Sequence, residues 1–315
     1  MSPRPPTVLV HLREALVKRV AAAAAPDVEV VSVPWEGDVP ASVQGEVLLT
    51  LPWASPNLPD VLAHGVRWVH ALGTGIDAFP LHLLGDRVLT CSRGASAIPI
   101  AEWVLAVMLA FEKRLPDTWI HRPPAEGWSR QTLGALHGKT LGLVGLGGIG
   151  TAVAARALPF GMRVLAHRRT ATPADLAAIE VVTSLAGLVA SSDHVVVAAP
   201  STPATHHLLG REAFAAMKPG AHLVNVARGA LVDQDALRAA LDDGRVALAS
   251  LDAVEPEPLP EGHWMYDHPR VRLSPHVSWN MPGAADLLIE PFIENLRRYR
   301  AGKPLGGLVD RGAGY

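Results

Sequence analysis

A glycine-rich turn between two apolar runs is the feature that most constrains this chain. An apolar stretch at residues 141–144 leads into a G-x-G-x-x-G spacing formed by Gly145, Gly147 and Gly150. A helix-like segment follows, and then a second strand-like run at 162–166. This order predicts dinucleotide binding, because the first glycine permits a tight turn, the second lets the backbone approach a pyrophosphate and the third lets the helix pack closely on the strand. The pyrophosphate would lie at the positive end of the helix dipole.

The residues after the second run indicate which dinucleotide is bound. Enzymes that use NAD usually carry an acidic residue about 20 positions beyond the glycines, where it binds the ribose 2′-hydroxyl. Here that place is taken by His-Arg-Arg-Thr at 167–170. The guanidinium groups of Arg168 and Arg169 and the hydroxyl of Thr170 suit a 2′-phosphate, which arginine can bind through two parallel hydrogen bonds. We therefore predict that NADP(H) is the preferred cofactor and that NAD(H) is possible. The alternative is a solvated basic turn.

Length, charge and cysteine content exclude several classes of protein. The chain has 315 residues, 49% of them hydrophobic, which is enough for two domains with sizeable cores. A formal net charge of −2 offers no basic field for nucleic acid. The single cysteine, Cys91, rules out an internal disulfide and is expected to be a small strand residue, which fits a cytoplasmic location. The apolar run at 98–111 contains Glu102 and is too short to span a bilayer, so it predicts a buried helix. We expect no signal peptide, because residues 1–6 are too few for an apolar core before the first strand candidate.

Strand-like and helical runs alternate along most of the chain, which predicts parallel sheets with helices on their faces. Prolines and glycines interrupt the pattern at 115–136, where we expect an irregular crossing segment. The strand candidates beyond it are 140–144, 163–166, 194–198, 221–226, 247–251 and 271–273. Six strands are what a complete dinucleotide-binding domain needs. A terminal helix is expected at 287–300.

Arg228, Glu257 and His276 each follow one of the last three strand candidates. Ligands of an open α/β sheet collect outside the carboxyl ends of its strands, so these side chains are expected to meet there. They suit reduction of a 2-keto acid: arginine binds the substrate carboxylate or keto oxygen, histidine donates a proton as hydride reaches the carbon, and glutamate orients the imidazole. Each also has an ordinary alternative, as a salt-bridge arginine, a solvated loop acid with Glu255 as competitor, and a structural histidine.

Seven stretches of the chain resemble, in the same order, the D-isomer-specific 2-hydroxyacid dehydrogenase family. They are residues 73–77, 101–103, 138–150, 217–220, 225–229, 251–258 and 275–276. The resemblance implies an α/β fold in which a Rossmann-type doubly wound parallel sheet binds the cofactor and a second, flavodoxin-like α/β domain, discontinuous in sequence, binds substrate. The implied limits are 1–112 and 286–315 for the substrate domain and 113–285 for the dinucleotide-binding domain. The family also implies a homodimer, and an active site in a cleft that closes to exclude water.

The resemblance further implies a role for each matching residue. Arg228 would bind substrate, His276 would be the acid/base that contacts it, and Glu257 would pair with that histidine. Thr74 and Gly75 would offer backbone amides to the substrate carboxylate. The implied cofactor contacts are the motif glycines with Gly148 and Ile149 at the pyrophosphate, Pro200 and Thr205 in a loop beside the adenosine half, Ala227 beside the substrate arginine, and Asp252 at the nicotinamide carboxamide. Asp252 has an alternative role as a buried hydrogen-bonding aspartate.

Departures from the family pattern sharpen the prediction. Arg168 replaces the usual acidic residue, as in the NADPH-preferring glyoxylate and hydroxypyruvate reductases that the family includes. Ala253 and its neighbour replace a more usual Val-Phe pair. Trp279 either narrows the substrate pocket or packs in the core, and Trp53 either lines the substrate mouth or packs in the core.

Together these features predict an NADP(H)-dependent reductase that turns a small 2-keto acid, of the glyoxylate or hydroxypyruvate type, into the D-2-hydroxy acid. One alternative is a dehydrogenase of the same fold that acts on another small acid such as phosphite. Formate is disfavoured, because formate enzymes of this fold lack a partner like Glu257. The other alternative is a non-catalytic dinucleotide-sensing protein, like the corepressors that share the fold. We expect no metal in the reaction, because no Cys/His cluster has metal-ligand spacing in the sequence.

Overall fold

Two parallel sheets, each within its own part of the chain, organise the structure. The computed structural model describes residues 5–26, 28–125, 127–169 and 176–315. These divide into a first unit, Met1–Ser96 with Met281–Tyr315, and a second unit, Ala97–Asn280. The strands of the described part are β1 (Thr7–Val10), β2 (Glu29–Ser32), β3 (Val47–Thr50), β4 (Trp68–Ala71), β5 (Val88–Cys91), β6 (Thr140–Val144), β7 (Arg163–His167), β8 (Ile179–Val182), β9 (His194–Val197), β10 (Ala221–Asn225), β11 (Val246–Leu251) and β12 (Val271–Leu273). The α-helices are α1 (Glu14–Ala23), α2 (Leu58–Ala63), α3 (Ala97–Lys113), α4 (Gly148–Ala157), α5 (Leu185–Ser191), α6 (Arg211–Ala216), α7 (Gln234–Asp242) and α8 (Ala284–Arg300).

The sheet of the first unit has the strand order β2-β1-β3-β4-β5, with every pair parallel. This is the flavodoxin-like order. Successive side chains of β1 point to opposite faces: Leu9 packs in one apolar cluster, whereas Val8 and Val10 pack in another that includes Phe292 of α8. Both faces are therefore covered, and the last helix of the chain belongs to the first unit.

The sheet of the second unit has the order β12-β11-β10-β9-β6-β7-β8, again all parallel. Chain order reverses between β6 and β9, which is the switch point of a Rossmann-type sheet, where ligands bind outside the carboxyl ends of the strands. The six predicted strands are confirmed. The seventh, edge strand β8, was not predicted, because its four residues are mostly part-exposed and form no long apolar run.

Helix α3 belongs to the second unit, because its buried Val104 and Met108 share a core with Leu141 of β6 and Val153 of α4. The second unit therefore begins with the first residue of this helix, Ala97, whereas the expected domain limit lies after residue 112. At the other end the second unit stops at Asn280, a few residues before the expected 285.

The apolar run at 98–111 forms most of α3, as predicted. Among the described residues, no helix is both long enough and apolar enough to cross a membrane. Cys91 is the last residue of β5 and is buried, as expected of a small strand residue, and this burial raises the pKa of its thiol.

Candidate active site

The glycine turn joins the end of β6 to the start of α4. Gly145 has a φ of +104°, and a Cβ built on it would lie 2.7 Å from backbone atoms of Ala198 and Ala199. A Cβ on Gly150 would overlap the carbonyl oxygen of Gly145. Both positions therefore require glycine, one for the turn and one for close packing of helix on strand. At Gly147 a Cβ would meet no atom within 4 Å, so this glycine faces open space.

The first turn of α4 points at that open space. Gly147 is the N-cap and offers no side chain, and the helix begins with Gly148, Ile149 and Gly150. Thr151 donates the bond back to the Gly147 carbonyl, so the amides before it belong to the helix end that has no intrahelical acceptors. Such amides and the helix dipole favour an anion. The glycines and the helix end therefore fit the pyrophosphate of a dinucleotide.

Two arginines stand at the neighbouring strand end. The Gly145 amide donates to the carbonyl oxygen of His167, the last residue of β7, over 2.9 Å, and this bond holds the strand end beside the glycine turn. Arg168 follows half-buried and Arg169 follows exposed. Thr170, the third predicted phosphate ligand, lies outside the described residues. The described residues at this place fit a 2′-phosphate better than a 2′-hydroxyl, because they are cationic.

Arg228, Glu257 and His276 lie in the loops that follow β10, β11 and β12, three adjacent strands of one sheet. His276 Nδ1 lies 2.8 Å from Glu257 Oε2, and the Val254 amide donates to Glu257 Oε1 over 3.0 Å. The structure thus identifies Glu257 as the carboxylate that bonds to the histidine. A carboxylate can only accept, so Nδ1 carries the hydrogen of this bond. Nε2 is then the ring nitrogen that is left to give or take a proton.

Charges in this group act on one another. The hydrogen bond to Glu257 raises the pKa of His276, against burial and the positive charge of Arg228, which lower it. Burial alone would raise the pKa of Glu257, but the bonds from His276 and the Val254 amide and the charges of His276 and Arg228 outweigh it and lower that pKa. Arg228, half-buried, donates to the Ala227 carbonyl over 2.8 Å. The three predicted residues therefore form one electrostatic group in which an imidazolium is favoured.

Asn225 holds the arginine loop in place. Its side-chain amide donates to the carbonyl oxygens of Arg228 (2.9 Å) and Ala253 (3.2 Å), and its Oδ1 accepts the Ala227 amide (3.1 Å). Asn225 is buried, as is Ala227, the predicted cofactor contact. Asn225 lies in the 225–229 stretch that resembles the family, but no role was predicted for it. The sequence does hold one signal for this structural role, since Asn225 is a polar residue at the end of an apolar, strand-like run.

Asp252 fastens the loop that carries His276. Its Oδ1 accepts from Ser274 Oγ at 2.5 Å and from the Val277 amide at 2.9 Å, and its Oδ2 accepts from the Ser278 amide at 2.9 Å. Asp252 is 2% exposed, so its role as a buried hydrogen-bonding aspartate is the one that these contacts display. Contact with a nicotinamide carboxamide stays a prediction.

The two tryptophans singled out in the sequence differ in environment. Trp279 packs against the core beneath α3 and α4, as one of its two alternatives expects, and its indole N–H also bonds to the His276 carbonyl. Trp53, in the loop after β3 of the first unit, is 48% exposed, so core packing is wrong for this residue.

The remaining predicted positions lie in loops at strand ends. Thr74 and Gly75 follow β4 in the first unit, with Thr74 exposed and Gly75 part-exposed. Pro200 and Thr205 follow β9 in the second unit, where Thr205 Oγ1 donates to the Pro200 carbonyl over 2.8 Å and accepts the Thr202 amide over 2.8 Å. Thr205 therefore fixes its own loop. Substrate contact by Thr74 and Gly75, and cofactor contact by Pro200 and Thr205, stay predictions.

A Rossmann-type sheet with a glycine cradle, together with an imidazole–carboxylate pair on the same sheet edge, defines a dinucleotide-dependent oxidoreductase. Comparisons with known proteins give the family. Residues 105–278 match the profile of the D-isomer specific 2-hydroxyacid dehydrogenase NAD binding domain. The chain belongs to this family, whose members are oxidoreductases that act on CH–OH groups with NAD(P).

Individual relatives agree with this assignment. Over 230 residues the chain is 36% identical to glyoxylate/hydroxypyruvate reductase B of Pectobacterium atrosepticum, covering 69% of this chain and 71% of that protein. A solved D-isomer specific 2-hydroxyacid dehydrogenase from Xanthobacter autotrophicus Py2, in complex with NADPH and MES, is similar with a TM-score of 0.80 and 29% identity, over 99% of this chain and 100% of that one. D-mandelate dehydrogenase of Rhodotorula graminis gives a TM-score of 0.77 and 27% identity over 98% of both chains.

Proposed function

We propose that this chain reduces a small 2-keto acid, of the glyoxylate or hydroxypyruvate type, to the D-2-hydroxy acid and that it prefers NADPH as the reductant. The family supports NAD(P)-dependent reduction of 2-keto acids in general. The observation that carries the proposal is the 2.8 Å bond between His276 Nδ1 and Glu257 Oε2, next to Arg228 on the sheet edge that also carries the glycine cradle.

The proton step follows from this geometry. When bound, the cofactor supplies a hydride to the keto carbon. Arg228 binds the substrate carboxylate or the keto oxygen by charge-assisted hydrogen bonds. His276 delivers a proton from Nε2 to that oxygen as negative charge develops, while Glu257 keeps Nδ1–H engaged and the imidazolium favoured. General acid catalysis of this kind contributes about 10²- to 10⁴-fold to the rate.

The preference for NADPH rests on the two arginines after β7. Arg168 and Arg169 occupy the position where an acidic residue would bind a ribose 2′-hydroxyl and repel a 2′-phosphate. One relative supports the same cofactor preference, because the solved structure of the Xanthobacter enzyme contains NADPH. The relatives with glyoxylate/hydroxypyruvate names support the substrate class. The homodimer, which the family resemblance implies, and the cytoplasmic location, which the single cysteine fits, are part of the same proposal.

The decisive experiment measures initial rates of NADPH and NADH oxidation with glyoxylate, hydroxypyruvate and pyruvate at neutral pH. Turnover with NADPH well above that with NADH supports the proposal. The same experiment run in reverse with phosphite and NADP⁺ tests the rival small acid. Turnover of phosphite, with no turnover of the three keto acids, would mean that the substrate is phosphite and not a 2-keto acid. Tight NADPH binding without turnover of any of these acids would favour a dinucleotide-sensing role. Sedimentation at several protein concentrations tests the dimer.

A further inference from the structure

Besides the group formed by Arg228, Glu257 and His276, a second cluster of polar side chains lies on the surface of the second unit. His206 and His207 follow the Thr205 loop, and Glu255 lies in the loop after β11. Each of the three offers one ligand atom, and these atoms all lie within 4.8 Å of one another. The two imidazole rings stack at a centroid distance of 3.9 Å. We propose that His206, His207 and Glu255 form a binding site for a divalent transition-metal ion, with Zn²⁺ as the best chemical match.

The backbone holds these side chains together before any ion binds. The His207 amide donates to the Ala230 carbonyl over 2.7 Å, and His207 itself has a φ of +50°. The neighbouring Gly229 lies so close to the peptide between Val254 and Glu255 that a Cβ there would overlap it. The histidine turn and the glutamate loop are therefore joined through the segment at 229–230. These backbone contacts hold the Cα atoms of the three residues in place. Only the side chains have to rotate for the ligand atoms to meet an ion.

The Glu255 loop is fixed a second time. Gln234, the first residue of α7, donates its side-chain amide to the Glu255 carbonyl oxygen. A site whose backbone is already held in place loses less conformational entropy when it binds an ion than a flexible loop does.

The donor set selects the kind of ion. Two imidazoles and one carboxylate suit Zn²⁺, Ni²⁺ or Cu²⁺, whereas Mg²⁺ and Ca²⁺ prefer sites built of oxygen ligands. Zinc bonds of about 2.0–2.2 Å in a tetrahedron put ligand atoms roughly 3.4 Å apart, so the three atoms need to approach by at most about 1.4 Å. All three side chains are exposed, so rotation about their χ angles can move the ligand atoms by this distance. Water would take the fourth position.

An ion at this site would fasten the loop that carries Glu257. Glu255 and Glu257 are separated only by Pro256, and the Val254 amide on the other side of Glu255 already bonds to Glu257. Zinc would tie this loop to the histidine turn in the folded chain only, since the ligands come from distant parts of the sequence. Binding of that kind stabilises the folded state in proportion to the logarithm of ion concentration. The inference does not depend on the identity of the keto acid.

The test is calorimetric titration of Zn²⁺ into the full chain without a polyhistidine tag, together with thermal unfolding. We expect one ion per chain and a thermal midpoint raised by at least about 3 °C at saturating zinc. His207→Asn, which suits the left-handed backbone, and His206→Asn or Glu255→Gln should each weaken binding at least about tenfold, because even outer partners of metal ligands cost 10–100-fold.

His82→Asn is the matched control, since His82 is an exposed histidine of the first unit, and it should bind zinc like the parent chain. Circular dichroism of each variant checks that loss of binding is not loss of folding. Three results would overturn the proposal: no zinc binding by the parent chain, equal binding by the His207→Asn and Glu255→Gln variants, or half an ion per chain. The last would mean that a complete site needs two copies.

Discussion

The indole N–H of Trp279 donates a hydrogen bond to the carbonyl oxygen of His276, with 3.0 Å between nitrogen and oxygen. His276 has a φ of +53°, a left-handed conformation that is uncommon for a residue with a side chain. Such a conformation persists where the surroundings determine it, and here they include this bond and the Asp252 carboxylate that holds the next two amides. The orientation of the proposed acid thus depends on a tryptophan outside the predicted catalytic set.

Replacing Trp279 with phenylalanine removes this bond and keeps most of the apolar packing. One hydrogen bond of ordinary strength corresponds to a roughly 3- to 10-fold loss, which we expect in kcat for keto-acid reduction. The Kd for NADPH should stay within about twofold, because the indole acts through His276. Stopped-flow rates and fluorescence titration measure the two quantities. Trp128→Phe, at a position 75% exposed, is the control. Unchanged kcat in Trp279→Phe would show that the bond does not position the histidine.

The pH dependence of reduction should reveal the Glu257–His276 pair. Since Glu257 raises the pKa of His276, the proton-donating form persists above the ordinary histidine range, and kcat/KM should fall only as the pH rises through the raised pKa. In Glu257→Gln this fall should move to lower pH, with a loss at neutral pH of at least about tenfold. The control is Glu261→Gln at an exposed position. An unmoved pH profile in Glu257→Gln would contradict the assignment.

The Glu257–His276 pair also predicts how the free energy of unfolding changes with pH. The raised pKa of His276 means that its contribution to the free energy of unfolding is complete below about pH 6.5 and is lost as pH rises through the folded-state value. The lowered pKa of Glu257 means that its contribution is present above about pH 4.3 and is lost as pH falls through its folded-state value. Urea unfolding of the parent and Glu257→Gln chains should therefore differ most at mildly acidic pH. A difference that instead grows towards pH 9 would reverse the sign of the coupling.

Cofactor preference should respond to Arg168. Loss of a charge-assisted pair with a 2′-phosphate costs about 1.5–3 kcal/mol, so Arg168→Ala should raise the Kd for NADPH by roughly 10- to 150-fold. The Kd for NADH should change less than about threefold, because NADH lacks that phosphate. Titrations with both cofactors decide the matter, with the exposed Arg122→Ala as control. Equal losses for the two cofactors would place Arg168 elsewhere than at the phosphate.

Two glycines of the turn should respond differently to alanine. Gly147 has extended backbone and open space around its would-be Cβ, so Gly147→Ala should fold with unchanged stability while both cofactors bind at least about tenfold more weakly. Gly150→Ala forces a Cβ onto the Gly145 carbonyl and should destabilise the fold by roughly 1–3 kcal/mol. Thermal unfolding without cofactor separates the two effects. Full NADPH affinity in Gly147→Ala would remove the pyrophosphate from this place.

How far the sequence predicts this protein depends on whether a feature is local. Strands β6, β7 and β9–β12 follow from apolar runs and turn residues, and the places of Glu257 and His276 follow because each comes just after such a run. The hydrogen bonds of Asn225 and Trp279 were not predicted, and for Asp252 the buried hydrogen-bonding role was expected but not its partners, because all of these bonds depend on how three loops meet in space.

The distant contacts of Glu112 show the same limit. This buried carboxylate accepts from Lys139 Nζ at 2.5 Å and lies 3.0 Å from His194 Nε2, at the start of β9. No local pattern in the sequence relates these three residues. The strand β8 was missed for a different reason: it has only four residues, with Glu180 among them, and so forms no long apolar run.

The strand order of the second sheet separates the residues to which we assign cofactor preference from those to which we assign proton transfer. Arg168 and Arg169 stand beyond β7 on one side of the switch point between β6 and β9, whereas Arg228, Glu257 and His276 stand beyond β10, β11 and β12 on the other. No loop carries residues of both groups. With the roles proposed above, cofactor preference is set on one flank of the sheet and proton transfer on the other, so a change of nicotinamide cofactor would leave the proposed acid–base pair intact.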